Sequence, residues 1–290
     1  MNLNEKLSIL KRNLHEFNSR CEISNEQKEL TLREIARALC DVYEDDDPFQ
    51  ILSHYVEITA DTSTAGRLIL CQELLSKKKS ATILKRLTAI GDNEVTPAGS
   101  HGKIAYPKNN FNDAAFSALS SSISAPRAVY TASINSACEA VADGSCEFCI
   151  LPIENSVDGK LFGFYSLIDR FELKIASVCD IEGEGDSRIK YALVGRNSRE
   201  PANQLFEKSK FVFEFFVLDS GNGLLDGLFE AAGECNADLL SIDVRPVPYD
   251  SQLKKFFLGF RLGGKDAMLF CTLLALYYDS YSPIGLYLNT

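Results

Sequence analysis

Apolar positions in residues 1–90 recur at helical spacing. Leu3, Leu7, Leu10, Leu14 and Phe17 alternate steps of four and three, which puts one apolar seam along a first helix. Leu30, Ile35, Leu39 and Val42 predict a second. The acidic run Glu44-Asp45-Asp46-Asp47 and then Pro48 break it, and Asp47 is positioned to cap the next helix. A third helical stretch is predicted over 48–76, with Ile51, Tyr55, Ile58, Leu70 and Leu74 as core candidates. Lys77-Lys78-Lys79 suits its solvent-facing C-terminus. Residues 91–102 are rich in Gly, Pro, Ser and Thr and read as a linker.

Beyond the linker the period changes. Short apolar runs at 103–106, 127–130, 148–153, 173–179 and 189–194 read as strands, the third as a buried parallel one. Helical patterns at 113–119, 134–142 and 161–171 separate them, and Gly144 closes the second. A last unit holds strands at 210–218, 239–244 and 255–262 and helices at 224–232 and 264–278, the β-α-β-β-α-β order of a ferredoxin-like unit. The expected fold class is α/β in several units: helical 1–90, linker 91–102, an α/β lobe at 103–200 and a ferredoxin-like unit at 205–290.

Size and composition fit that division. A chain of 290 residues suits about two domains, and 46% apolar residues supply the cores. The formal net charge of -10 argues against nucleic acid and anionic membrane as partners. No run approaches the roughly 18 apolar residues of a membrane span. The opening Met1-Asn2-Leu3-Asn4-Glu5-Lys6 lacks a basic, then apolar, leader, and nine Cys form an odd, scattered set. Together they predict reduced thiols in the cytoplasm. Cys146 and Cys149 are spaced C-x-x-C without a second pair, which favours buried structural thiols over zinc. His15, His54 and His101 are isolated and suggest no metal site.

Leu151-Pro152-Ile153-Glu154-Asn155-Ser156 resembles the proline-isoleucine-glutamate-asparagine-serine signature of prephenate dehydratases. Ala140-Val141 and Gly144 before it, and Gly159 and Leu167-Ile168 after it, agree in order and spacing. Ala105-Tyr106-Pro107 and Phe111 resemble what surrounds that family's first Gly-rich loop, altered here to Lys108-Asn109-Asn110. The bare alternative is a strand-to-turn junction with an Asx cap. Asn222-Gly223-Leu224-Leu225 resembles the helix entry of the family's ACT domain. Ser241-Ile242-Asp243-Val244-Arg245-Pro246 resembles its glutamate-serine-arginine-proline motif, and Pro283-Ile284-Gly285-Leu286-Tyr287 its ending. Residues 3–8, and 60–74 with Ala60-Asp61-Thr62 and Gln72-Glu73-Leu74, are similar to the first and last helices of chorismate mutase. The chain thus resembles the bifunctional chorismate mutase/prephenate dehydratases of phenylalanine biosynthesis over nearly its whole length, as a degenerate member.

That resemblance implies sites that can be checked residue by residue. A mutase needs cations and donors aimed into a bundle. Its two arginines fall on Asn4 and Cys21, its serine on Thr62 and its glutamine on Gly66. Arg12, Arg20, Arg33 and Arg67 read as solvated helix faces. A dehydratase must protonate a leaving hydroxyl and hold two carboxylates. Asn155 and Ser156 carry over from the signature. The threonine-arginine-phenylalanine triplet falls on Ile189-Lys190-Tyr191 in one register and on Ser187-Arg188-Ile189 in another, and both registers stay open. The interval 180–187 has room for a hairpin loop and none for the family's second lobe. Glu182, Glu184 and Asp186 would repel a dianion and read as an exposed acidic turn.

The resemblance therefore implies a non-catalytic homologue that binds phenylalanine or another aromatic amino acid, or partners pathway enzymes. Its effector residues would be Asn222, Gly223, Leu224, Asp243 and Arg245, with Val244 replacing the motif serine. No cofactor is implied. A homodimer is expected, because mutase-like helices and ACT sheets expose apolar faces that pair. Two rival readings stay open. One is a working prephenate or arogenate dehydratase, with Asn155 and Ser156 orienting substrate, Ser187 as acid and Arg188 on a carboxylate. The other is altered chemistry on prephenate, such as decarboxylation without dehydration.

Overall fold

The computed structural model describes residues 3–19, 25–43, 47–77, 100–157, 159–161, 163–183, 187–196, 210–221, 223–248, 250–278 and 281–288. Cys21, Arg20, Glu184, Asp186, Asn222 and the linker positions 91–99 lie outside them. The chain forms two compact units. One comprises Met1–Leu87, Asp219–Ala237 and Lys265–Tyr281; the other comprises Thr88–Leu218, Asp238–Gly264 and Ser282–Thr290.

The first unit is helical. It holds α1 (Leu3–Ser19), α2 (Asn25–Val42), α3 (Pro48–Thr59) and α4 (Thr64–Ser76). The stretch predicted as one helix over 48–76 is two. Ala60, at a φ of 50°, caps the end of α3, and the Ser63 hydroxyl accepts the Gly66 N–H at the start of α4. Asp61 braces the turn: Ser63 N–H donates to it at 2.8 Å and Lys28 Nζ lies 2.6 Å away. Burial raises the Asp61 pKa, but the hydrogen bonds from Lys28 and Ser63 outweigh it and hold the carboxyl below its usual range. A Cβ at Gly66 would fall 2.6 Å from Asp61 Oδ1, so a larger residue would push that carboxylate aside. The apolar face of α2 is buried through Leu32, Ile35 and Leu39.

The second unit is one mixed sheet of ten strands among the described residues. Its strands are β1 (Lys103–Pro107), β2 (Arg127–Thr131), β3 (Phe148–Asn155), β4 (Gly159–Lys160), β5 (Lys174–Glu182), β6 (Arg188–Gly195), β7 (Phe211–Asp219), β8 (Asp238–Val247), β9 (Asp250–Leu262) and β10 (Ser282–Tyr287). The order across the sheet is β2-β1-β3-β6-β5-β10-β7-β9-β8, with β4 paired to β3. Strand β3 is parallel to β1, as expected, but antiparallel to β6 on its other side. Helices α5 (Asn110–Leu119), α6 (Ile134–Ala142) and α7 (Phe164–Arg170) belong to this unit. Alternate residues of β1 serve opposite faces: Ile104 and Tyr106 pack with Ala115 and Leu119 of α5, while Ala105 packs with α6 and α7.

Strands β7 to β10 carry the β-α-β-β-α-β order, with α8 (Leu224–Glu234) and α9 (Gly264–Tyr277) as its helices in the helical unit. The closing strand of that order, to which the sequence reading gave no residues, is at 282–287. There β10 joins the two halves of the sheet, parallel to β5 and antiparallel to β7. The join depends on Gly285, whose Cβ would lie 2.6 Å from Ile175 Cβ. Strand β8 forms one end of the sheet and exposes Leu240, Ile242 and Val244. Cys146 and Cys149 are buried in the core of this unit. No helix among the described residues is long and apolar enough to cross a membrane.

Candidate functional site

Parallel strands β2, β1 and β3 end at Thr131, Pro107 and Asn155, along the edge where open α/β sheets offer ligand crevices. Strand β6 begins at the same edge, with Ile189 opposite Asn155. Asn155, Ser156, Ser187 and Arg188 are therefore brought together at one corner. Their polar atoms mostly serve the backbone. The Asn155 carboxamide accepts the Val157 N–H at 3.0 Å, the Asx turn of the bare alternative to the signature reading. Ser156 N–H donates to the Arg188 carbonyl, and Arg188 N–H donates to the Ser156 hydroxyl, both at 2.8 Å. The Ser187 carbonyl accepts the Gly183 N–H at 2.8 Å, and a Cβ at Gly183 would overlap the Ser187 hydroxyl. Ser156 and Arg188 are exposed, as is Glu182. Asn109 caps α5 by accepting the Asn112 N–H at 2.8 Å, and the Lys108 ammonium sits 5.0 Å from the centre of the Tyr130 ring.

The expected effector residues divide between the two units. Gly223, at a φ of 76°, leads into Leu224 at the start of α8 in the helical unit. Asp243 and Arg245 lie on β8 in the sheet unit, two residues apart and so on one strand face. Arg245 donates to Asp243 Oδ2 from Nε at 3.3 Å and from Nη2 at 3.1 Å, and its Nη1 donates to the Ser166 hydroxyl. Lys255, opposite Arg245 on β9, pairs with Asp169 at 2.6 Å. Phe257, opposite Asp243, stacks on Tyr165 with centroids 4.7 Å apart. Helix α7 is thereby fastened over this face of β8 and β9.

Between them is a cleft of about 280 Å³, lined by Ile153, Leu161, Phe164, Tyr165, Ile242, Asp243 and Arg245. Ile153 and Leu161 form the base of the hairpin whose tip is the Asn155–Ser156 turn, and Leu161 N–H donates to the Ile153 carbonyl at 2.9 Å. Behind the cleft, Glu214 of β7 is buried and accepts hydrogen bonds from Tyr165 at 3.1 Å and Tyr287 at 2.7 Å. Burial, then the Glu214 carboxyl, raises the pKa of both phenols far above normal.

Sequence reasoning did not single out Tyr165, Glu214 or Tyr287 for a site. Glu214 carried a signal: it is the lone acid in Phe211-Val212-Phe213-Glu214-Phe215-Phe216, where a buried strand must give it partners. In the helical unit, Thr62 and Gly66 sit in and beside the turn between α3 and α4, where Gly66 offers its carbonyl to the Tyr55 hydroxyl at 3.1 Å. Ser8, Lys11, Arg12, Leu14 and Glu57 help line a groove of about 490 Å³ there. Arg33 pairs with Glu29 at 3.3 Å, and Arg67 lies 5.1 Å from the centre of the Tyr277 ring.

Residues 107–206 match the family model described as prephenate dehydratase. This segment includes the Asn155–Arg188 corner and the cleft walls Ile153, Leu161, Phe164 and Tyr165, while Asp243 and Arg245 lie outside it. Among solved structures, GqqA, described as a novel type of quorum quenching acylases, is similar at a TM-score of 0.52 and 13% identity. That likeness covers 65% of this chain and 95% of GqqA. Prephenate dehydratase from Streptococcus mutans is similar at a TM-score of 0.51 and 18% identity, over 64% of this chain and 97% of that one. At these identities the likeness is one of fold. No curated protein matches the sequence.

Proposed function

We propose that this chain is a prephenate dehydratase homologue of phenylalanine biosynthesis that binds an aromatic amino acid and does not turn over prephenate. Dehydration needs a proton donor and a grip on two carboxylates, shielded from water. The observation carrying the reading is the use of Asn155 and Ser156. Their side chains close a turn and tie it to Arg188, at a corner where Ser156, Arg188 and Glu182 are exposed. A dianion there would meet the Arg188 guanidinium largely in bulk solvent, where a charge pair at contact gains only about 1 kcal/mol. The binding half of the reading draws on the cleft, which is near the small end of the roughly 300–1,000 Å³ range of ligand pockets.

Purified full-length protein incubated with prephenate should release no phenylpyruvate above the uncatalysed background. Turnover that disappears in Ser187→Ala would overturn the proposal. It would restore the catalytic reading, with Ser187 as acid, Arg188 on a carboxylate, and Asn155 and Ser156 orienting substrate.

A further inference from the structure

We propose that the free edge of β2 pairs antiparallel with β2 of a second copy of this chain, on a two-fold axis at Val129, so that two sheets become one. This surface is separate from the mutase-like helices and the ACT-like sheet whose faces were expected to pair. Among the described residues β2 bonds to β1 alone and ends the sheet. Arg127 N–H donates to the Gly102 carbonyl at 2.7 Å, and Arg127 lies opposite Lys103 of β1. Backbone groups alternate in direction along a strand, so Arg127, Val129 and Thr131 address β1. Ala128 and Tyr130 then turn their N–H and C=O groups outward, a template for another strand. Residues 124–128 are exposed, and Tyr130 is 53% exposed. Neither proline, lysine nor bulge blunts residues 127–131.

A second copy is the occupant because this edge is complementary to itself. An axis at Val129 sets Ala128 opposite Tyr130 of the partner subunit, and each such pair exchanges both backbone hydrogen bonds. The small Ala128 leaves room for the ring across from it, on both sides of the axis. Tyr106 lies edge-on to the Tyr130 ring at 5.5 Å and Lys108 is 5.0 Å from its centre, yet half of Tyr130 stays open for that contact. On the other face Val129 meets Val129 of the partner subunit, a β-branched pair without hydrogen bonds of its own. Arg127 falls opposite Thr131. The two arginines are then about 14 Å apart along the pair, beyond the screening length at physiological salt. Like charges are therefore not set against each other. Antiparallel pairing sends the strand ends of the two copies in opposite directions, so the partner leaves the Asn155–Ser156 corner uncovered. A five-residue strand buries little area, which makes the contact weak and concentration-dependent.

Cross-linking of the full chain tests the register independently of any other interface. Val129→Cys places a thiol on the axis, where Cα atoms stand about 4.5 Å apart, within reach of a disulfide. Oxidation with copper phenanthroline should link Val129→Cys into a dimer at least tenfold faster than wild type, whose own cysteines give the background. It should also outpace Ala128→Cys tenfold, since that thiol faces tyrosine. Adding Ala128→Pro to Val129→Cys removes an outward N–H and should slow linkage at least tenfold at an unchanged melting temperature. Arg127→Cys and Thr131→Cys give a second reading: mixed, they should link to each other, while neither links to itself. Val129→Cys linking no faster than wild type overturns the pairing. If Val129→Cys does not fold, a mixture of the other two that stays unlinked overturns it instead. Ala128→Cys linking as fast as Val129→Cys overturns the axis. Linkage indifferent to Ala128→Pro in a folded protein overturns the backbone ladder.

Discussion

At the tip of the β3–β4 hairpin, Asn155 and Ser156 accept backbone N–H groups at 3.0 and 2.8 Å; at Asp243 and Arg245 the polar groups hold each other and leave Oδ1 without a partner among the described residues. The first pair lies where two strands end. Backbone N–H groups leaving the ladder there need an acceptor, and a short polar side chain is the nearest one. The second pair lies within β8, and its side chains bond to each other and to Ser166 rather than to backbone. A motif at a turn is therefore ambiguous, because the same Asn and Ser that orient a substrate can also finish a fold. A half-exposed charge pair within a strand answers to no such backbone demand.

The largest effect expected from testing this contrast is at Glu214. Its carboxyl anchors Tyr165, which lines the cleft, and Tyr287. Glu214→Ala removes the acceptor that two buried hydroxyls address and leaves a cavity, which should cost about 3 kcal/mol or more. A urea titration should show the midpoint falling accordingly, with Glu214→Gln losing less. An unchanged midpoint would mean that Tyr165 is held by packing on Phe257 alone.

Less is expected from alkali. An unfolded tyrosine ionises near pH 10, whereas burial and then Glu214 keep the Tyr165 and Tyr287 phenols protonated above it. Above about pH 10 the unfolded state therefore binds fewer protons than the folded one. Stability contributed by the raised pKa values is complete below that pH and is lost as pH rises beyond it. The loss is at most about 1.4 kcal/mol per pH unit for each phenol. Melting temperature followed from pH 9 to 11 should fall, and fall less steeply in Tyr165→Phe. Equal slopes would exclude Tyr165 as a contributor.

Much of the fold was legible because it is written in local periods. The helix expected at 134–142 is α6 to the residue, and β5 and β6 pair antiparallel as far as Glu182 and Arg188, the hairpin that the short interval demanded. The break at Ala60 was missed because both flanking segments have helical apolar spacing, and a left-handed alanine leaves no mark in composition. The residues of β10 went unassigned because its role, bridging β5 and β7, exists only in the assembled sheet. The site divides the same way. Asn155, Ser156, Ser187 and Arg188 were findable from a contiguous motif and a neighbouring strand. The cleft joins 153–165 to 242–245, and no local pattern records that meeting.

The smallest effects belong to the turn itself. Ser156→Ala removes an acceptor from the Arg188 N–H at an exposed position where water can replace it, so the loss should stay below about 1 kcal/mol. Asn155→Ala should lose a few tenths of a kcal/mol with its Asx turn, of order 0.5. Neither should change L-phenylalanine affinity, because the hairpin base that walls the cleft is fixed separately by the Leu161–Ile153 hydrogen bond. Calorimetry on Asn155→Ala carries the sharper reading. An affinity loss beyond roughly threefold, near 0.7 kcal/mol, would mean that tip and base move together. Turn and cleft would then be one site, and the contrast between Asn155 and Asp243 would have to be abandoned.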